Sequence, residues 1–412
     1  MEKYDWIIIG GGISGITSAE ILTREGFSVL LLEKNDSLAS ETSKVFHEWL
    51  HTGALYTLAP DKLNTTRYLL GAIDDLLEFY QSFPGMNLKP SDSGLEIINN
   101  GWFNNKNIEM HYRNRKFNPV WLAMISRSAS IVQKINSHDW LRRKAGSIYG
   151  ETRLSRRRWV TKIPELIKSD QKFIKVQSPD VTINSRELIT DILNQAIDNG
   201  LVIKTGETVL SVSNKNNEAS VYSNQNTYFG KNVLVCAPNL IEALFNKKIK
   251  ISYAPIAVVS GVPDTASNFV ELDCYTKNCI NLLTKGNGIG LAGGISVKKS
   301  DVESYTKYVV KQQVKKHPSI KLIDKYVGLK KEIVSKRQDR NYLYHIEQED
   351  SKIWSLVLGK FTLAFSSAPE LIRRVYGRNP KKVFQTSQSN EVNSYISKTS
   401  WQEIVDVNKK EK

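Results

Sequence analysis

Six residues near the start of the chain, Gly10-Gly11-Gly12-Ile13-Ser14-Gly15, restrict the fold more than anything after them. They have the form GxGxxG. A short apolar run, Trp6–Ile9, precedes them. A stretch of helical spacing, Ile13–Glu25, follows, with Ile13, Ile16, Ala19 and Leu22 on one face. Gly26 ends that stretch as a C-cap residue. Ser28–Leu32 is an apolar run of the buried parallel-strand type. The whole unit reads strand, glycine turn, helix, strand. Gly10 makes the tight turn, Gly12 lets the backbone approach a pyrophosphate, and Gly15 lets helix and strand pack closely. Ile13 and Ser14 open a helix whose free N–H groups and dipole favour negative charge. Glu33 ends the second strand, where a carboxylate accepts hydrogen bonds from both ribose hydroxyls of an adenosine. The expected class is therefore α/β with a Rossmann-type dinucleotide-binding domain. The unit by itself leaves NAD and FAD open.

The segment beyond Glu33 separates the two. Residues 42–56 read Thr-Ser-Lys-Val-Phe-His-Glu-Trp-Leu-His-Thr-Gly-Ala-Leu-Tyr. This resembles the D-amino acid oxidase superfamily of FAD enzymes, in particular its glycerol-3-phosphate dehydrogenase and 2-hydroxyglutarate dehydrogenase branches. Their segment runs T-S-x-x-x-H-x-x-(I/L)-H-x-G-x-x-Y, and Thr42, Ser43, His47, Leu50, His51, Gly53 and Tyr56 fit it without a gap. Three later segments are similar to the same family: Val181–Leu188 at a strand-to-helix entry, Gly359-Lys360-Phe361-Thr362 at a "GGKLT" turn, and Arg340-Asn341-Tyr342 at an R-D-Y segment that carries a substrate-binding arginine. The resemblance implies FAD contacts from Gly10, Gly12, Ile13, Ser14, Gly15, Glu33, Lys34, Thr42, Ser43, His47, Val209, Ala237, Gly359, Lys360, Phe361 and Thr362. The chain departs from the family at Cys236-Ala237-Pro238, where a small residue before glycine is usual, and at Leu55, where one branch has arginine. These departures bear on the substrate more than on the cofactor.

A flavin takes a hydride at N5 and gathers charge at its N1–C2=O edge, while the protein supplies orientation and electrostatics. Lys360 and the backbone of Phe361 and Thr362 are the candidates for that edge. An alcohol substrate also needs a base, and histidine suits that task near neutral pH. Of six histidines, only His47 and His51 lie in the flavin segment, and His51 is the expected base. His345 is a candidate to face the site, whereas His111, His138 and His317 read as surface residues. Arg337 and Arg340 would clamp an anionic substrate with paired hydrogen bonds. Tyr342 and Tyr344 would line the same pocket.

The predicted reaction is FAD-dependent oxidation of a CH–OH or CH–NH₂ group on a small anionic substrate. The acceptor is open among oxygen, a quinone and a carrier protein. One rival is a flavoenzyme acting on a sugar or glycan precursor. Another is a non-catalytic module, for which the Ala237-Pro238 turn speaks, and a third is a nicotinamide-dependent dehydrogenase. HExxH, P-loop and GxSxG patterns are absent, as is any cluster of metal ligands in the sequence. Cys236, Cys274 and Cys279 form no CxxC pair, which disfavours an iron–sulfur relay and a disulfide framework.

A chain of 412 residues holds two or three domains. The expected FAD domain is discontinuous, over residues 1–85, 170–250 and 335–385. A smaller mixed or antiparallel-sheet substrate domain takes 86–169 and 251–334, and 386–412 is a C-terminal tail. Helices are expected at Asp61–Phe83, Val120–Asn136, from a cap at Asn184 or Ser185 to about Asp198, at Asp301–Lys316 and at Thr362–Tyr376. The net charge of +15 is spread in short basic clusters without a nucleic-acid motif. No apolar run approaches a membrane span, so a cytoplasmic protein is expected, with attachment to the inner face of the membrane left open.

Overall fold

The computed structural model describes residues 3–53, 56, 64–91, 94–104, 108–113, 166–169, 173–178, 180–215, 218–273, 276, 278–334, 341–382, 392 and 395–410. Of the sequence expectations, the Val120–Asn136 helix, Arg337, Arg340, His138 and Cys274 lie outside these residues.

The nucleotide-binding unit is built as its pattern dictates. Lys3–Ile9 is a strand, Ile13–Arg24 a helix and Val29–Leu32 a second strand. The two strands are parallel, with Trp6 opposite Val29 and Ile9 opposite Leu32. On the far side of Lys3–Ile9 lies the parallel strand Thr227–Val235, and Ile353–Leu358 runs parallel to the last residues of that strand. Val202–Lys204 closes the other edge, again in parallel. These central strands are apolar on both faces because both faces are covered. The helices Ile13–Arg24, Ser185–Asp198 and Ala364–Tyr376 pack on one another, and their apolar sides share one core with Trp6, Ile8, Val29 and Leu31. An antiparallel pair, Val209–Lys215 and Glu218–Ser223, splays off the first half of Thr227–Val235, and Tyr344–Asp350 pairs antiparallel with Ile353–Leu358.

A second sheet of eight strands forms the other layer. Its spine is antiparallel: Lys321–Ile333, Ile249–Ser260, Ile289–Gly294, Asn278–Gly286 and Asn268–Asp273. The helix Val302–Lys316 covers it through Thr306, Val309 and Gln313. Ile108–Arg113, Phe173–Gln177 and Leu166–Ser169 extend the sheet. The strand Phe173–Gln177, expected with the nucleotide-binding domain, thus belongs to this sheet, where it pairs with Ile108–Arg113. His111, read from sequence as a surface residue, is buried and stacks on Phe269 at 5.2 Å, because Phe269 and Phe173 cover its face of the strand. The expected tail also carries structure: Ser400–Lys410 is a helix.

The parallel strands set the geometry of everything that follows. Ile9, Leu32, Val235 and Leu358 all end at the same edge of the first sheet, and so do the loops that leave them. Ligands of open α/β sheets bind at that carboxyl edge. No helix among the described residues is long and apolar enough to cross a membrane.

Candidate active site

At the carboxyl edge the glycine turn is held by close contacts that admit nothing larger. Gly10 has φ of +108° and packs against the backbone of Cys236 and Ala237, where an added Cβ would come within 3.2 Å. A Cβ on Gly15 would lie 1.9 Å from the carbonyl of Gly10. A Cβ on Gly12 would meet only the Ser43 hydroxyl, at 3.5 Å, so the front of the turn is open. The Ser43 hydroxyl accepts from the amide of Ile13, the first of the helix (3.0 Å). Glu33 is buried beneath the turn. One carboxylate oxygen takes the amide of Gly11 at 2.7 Å, the other the backbone and side-chain N–H of Asn35. Lys34 is drawn to Glu41 (2.5 Å). Val209 starts its strand within the core that also holds Leu30, Leu32 and Val221.

The Ala237-Pro238 departure leaves this turn intact. The amide of Cys236 donates to the carbonyl of Ile9 (2.8 Å), and Ala237 is the N-cap of a helix, Pro238–Phe245. Proline at the first helical position loses no needed hydrogen bond and arrives with helical φ. The thiol of Cys236 is buried there, and burial pushes it up to about 12.

The loop between residues 42 and 51 lies against several other parts of the chain. The Lys321–Ile333 strand supports it: the hydroxyl of Tyr326 donates to the carbonyl of Phe46 (3.3 Å), and Gly328 lets the backbone pass beneath Val45. Phe46 stacks on Phe361 with ring centres 4.2 Å apart, and the Thr362 hydroxyl accepts from the amide of His51 at 3.1 Å. Glu48 has φ of +58°, a left-handed conformation that costs a non-glycine residue about 1 kcal/mol or more. Gly359 makes the last junction: a Cβ there would meet backbone atoms of Asn341, Tyr342 and Leu343 at 2.5–2.7 Å, and its amide bonds Leu343. That approach sets Tyr342 beside Lys360.

These junctions gather one cluster. The Lys360 ammonium sits 4.5 Å from the ring centres of both Tyr56 and Tyr342. Tyr56 meets His51 edge-on at 5.6 Å, and Trp49 lies 4.4 Å from His51 on another side. His51 Nδ1 is 3.6 Å from a carboxylate oxygen of Asp180, a fully buried acid. Asp180 is held in place by the indole N–H of Trp49 (3.0 Å) and by the amide and hydroxyl of Thr52 (2.8 and 2.5 Å).

The electrostatics make both loop histidines neutral. Burial, then Lys360, draws His51 down to about 4, against the opposing pull of Asp180. Burial, then Lys330, His51, Lys285 and Lys360, draws His47 down to about 3. Among the described residues His47 Nε2 is buried without a hydrogen-bond partner, whereas His51 Nδ1 faces Asp180. An orphaned buried nitrogen is costly and rare. The open front of Gly12, the buried Glu33 and the His47 nitrogen fit a dinucleotide laid across the turn with its reactive end toward the histidines. Among the described residues no group of three or more His, Cys, Asp or Glu is placed to hold a metal.

Several sequence expectations fall outside this cluster. His345 bonds Asn341 (2.6 Å), and its charged neighbours are Glu347, Arg374 and Lys247, none of them in the cluster. Tyr344 is buried against Tyr68 in the helical core. Sequence reading missed Asp180, Glu48, Trp49, Lys285 and Lys330. Asp180 immediately precedes the strand Val181–Ile183, which pairs antiparallel with Trp49–Leu50, and that pairing is the signal that links the two segments.

Comparison with known proteins agrees with this fold. The family model described as FAD dependent oxidoreductase matches residues 5–264. The dithionite-reduced L-α-glycerophosphate oxidase of Mycoplasma pneumoniae, solved with FAD bound, superposes with a TM-score of 0.67 at 17% identity, covering 94% of this chain and 98% of that one. Glycine oxidase of Geobacillus kaustophilus gives 0.62 at 11% identity, covering 96% and 98%. A UDP-galactopyranose mutase of Mycoplasma pneumoniae is 33% identical over 100 residues, so this chain spans only 23% of that curated relative's length. The turn, the carboxyl-edge site and the family match over most of the chain lead to one conclusion: the protein belongs to the FAD-dependent oxidoreductase family foreseen from residues 10–15 and 42–56.

Proposed function

We propose that the protein oxidises a CH–OH or CH–NH₂ group of a small anionic molecule at the cluster around His51. Bound FAD would take the hydride at its N5. The carrying observation is a neutral histidine beside a fixed acid, with Lys360 and Lys330 near enough to depress it. A base must be unprotonated at working pH, and His51 meets that condition across the neutral range. Asp180 faces Nδ1 and stabilises the imidazolium that forms when Nε2 takes the substrate proton. Lys285, Lys330 and Lys360 give the site a positive field, since each depresses one or both histidines. That field favours an anion, in addition to the clamp expected of Arg337 and Arg340. Lys360, with Phe361 and Thr362, would stabilise charge at the N1–C2=O edge. The phosphates would lie on Gly10–Gly15 and Ser43, with Glu33 on the ribose and with Lys34, Thr42, His47, Val209, Ala237 and Gly359 around the cofactor.

The names of the glycerophosphate oxidase and glycine oxidase neighbours support substrates of this kind, a polyol phosphate or an amino acid. The local match to a sugar-nucleotide mutase favours a second reading, a sugar-nucleotide reaction without net oxidation. The experiment is anaerobic titration of the yellow protein with 2-hydroxy acids, polyol phosphates, amino acids and UDP-sugars. Bleaching by one of the first three supports the proposal. Turnover of a UDP-sugar that needs pre-reduced flavin, with no bleaching by the others, overturns it.

A further inference from the structure

Glu48 stands between His47 and the Trp49–His51 pair, and its side chain is 2% exposed. Its carboxylate is saturated from three separate parts of the chain. One oxygen takes the amide of Ser185 (3.1 Å) and the Ser185 hydroxyl, at the start of the Ser185–Asp198 helix. The other takes the indole N–H of Trp401 (2.8 Å) and the ammonium of Lys285, itself buried. Its own carbonyl takes the amide of Ile183 (2.8 Å). A left-handed glutamate persists only where its surroundings over-determine it, and here they do.

The C-terminal segment supplies more than Trp401. Lys44, three residues from His47, pairs with Glu403 (2.8 Å). Upstream, the amide of Leu38 donates to the carbonyl of Tyr395 (2.7 Å), that of Ser397 to the carbonyl of Leu38 (3.1 Å), and the hydroxyls of Ser37 and Ser397 meet at 2.7 Å. Leu38 itself covers Gly11 of the dinucleotide turn, and the amide of Ala39 donates to the carbonyl of Gly11 (2.8 Å). Residues 395–403 therefore grip both ends of the stretch from residue 37 to residue 48, which runs from the dinucleotide turn to the histidines.

We propose that Glu48 is a positioning residue, and that residues 395–403 form a brace that holds it so that His47 and His51 meet the bound flavin in a fixed orientation. This rests on the cofactor reading of the 42–51 loop. A FAD-loaded, yellow wild-type protein tests that reading, and only the differences between variants test the brace.

The experiment compares full-length Trp401→Phe, Glu48→Gln and Lys44→Met with the control Lys307→Ala, which breaks an exposed pair with Glu303 on the Val302–Lys316 helix. The readouts are FAD affinity of deflavinated protein by fluorescence titration, and the visible-region circular dichroism of the flavin at saturation. Trp401→Phe keeps an aromatic ring but loses the bond to the carboxylate. It is expected to weaken FAD binding on the order of 10-fold and to change the flavin dichroism. Glu48→Gln is expected to do so more strongly, Lys44→Met more weakly, and Lys307→Ala not at all. Should Glu48→Gln fail to fold, Trp401→Phe and Lys44→Met still decide. Unchanged affinity and dichroism in those two variants overturn the proposal, as does a lower melting temperature with the flavin signature of wild type.

Discussion

The dinucleotide turn and the histidine cluster sit at the same edge of one sheet, yet they are made in opposite ways. Gly10 to Glu33 is a continuous stretch whose structure follows from neighbours in sequence, with glycine at each place where backbone meets backbone. The cluster is drawn from five separated places: residues 47–51, Tyr56, Asp180, Tyr342 and Lys360. The first region tolerates no change of shape. The second depends on charge and burial that no single segment carries. A fold can therefore be secured by a local pattern while its chemistry is set by long-range packing.

Four experiments probe that contrast. The largest effect should come from Gly15→Val. Its Cβ has no room beside the Gly10 carbonyl, and overpacking against backbone costs about 3 kcal/mol or more. Loss of soluble, FAD-binding protein is expected, and a yellow, stable variant would refute the steric account. Next is His51→Asn, which should keep FAD and lower the rate of anaerobic flavin bleaching by about 10²–10⁴-fold. An unchanged rate would remove His51 as the base.

Third comes acid sensitivity. Both loop histidines are held below their ordinary 6.5, so the unfolded chain binds protons that the folded chain does not. Their contribution is full above pH 6.5 and is lost as pH falls toward about 4. The slope is up to about 1.4 kcal/mol per pH unit for each histidine. Urea unfolding of wild type and His51→Asn between pH 7 and 4.5 should show the shallower slope in the variant. Equal slopes would mean that the ring is already free to protonate. The smallest effect belongs to Tyr342→Leu, which removes one face of the cation–π pair on Lys360. A loss of about 1 kcal/mol is expected, read as a several-fold weaker affinity for the substrate that bleaches the flavin.

The legible part of the molecule was the part whose pattern is local. The GxGxxG unit, the 42–56 segment and the Gly359–Thr362 turn each announced their place, and all three come together at the carboxyl edge. Asp180 and Glu48 were illegible for a physical reason. An acid is identified as a site residue by what it faces, and these two face segments far away in the chain. Tyr344 read as a pocket residue beside Tyr342, and His345 from its closeness to Arg340, but Tyr344 packs into the helical core and His345 bonds Asn341. The helix at residues 400–410 escaped notice because its polar, charged sequence resembles an exposed tail, and only its contacts along Lys321–Ile333 show what it buries.

The bond from Trp401 to Glu48 joins residues 353 positions apart. Ribosomes add about 5–20 residues per second, so roughly 20–70 s separate the synthesis of these two partners. Within that interval the Gly10–Gly15 turn is completed once Cys236 and Ala237 are made, while the loop that carries the histidines still waits for Trp401. The growing chain would thus acquire its adenosine-binding half before its redox half, and the cofactor would reach its final pose only after the second.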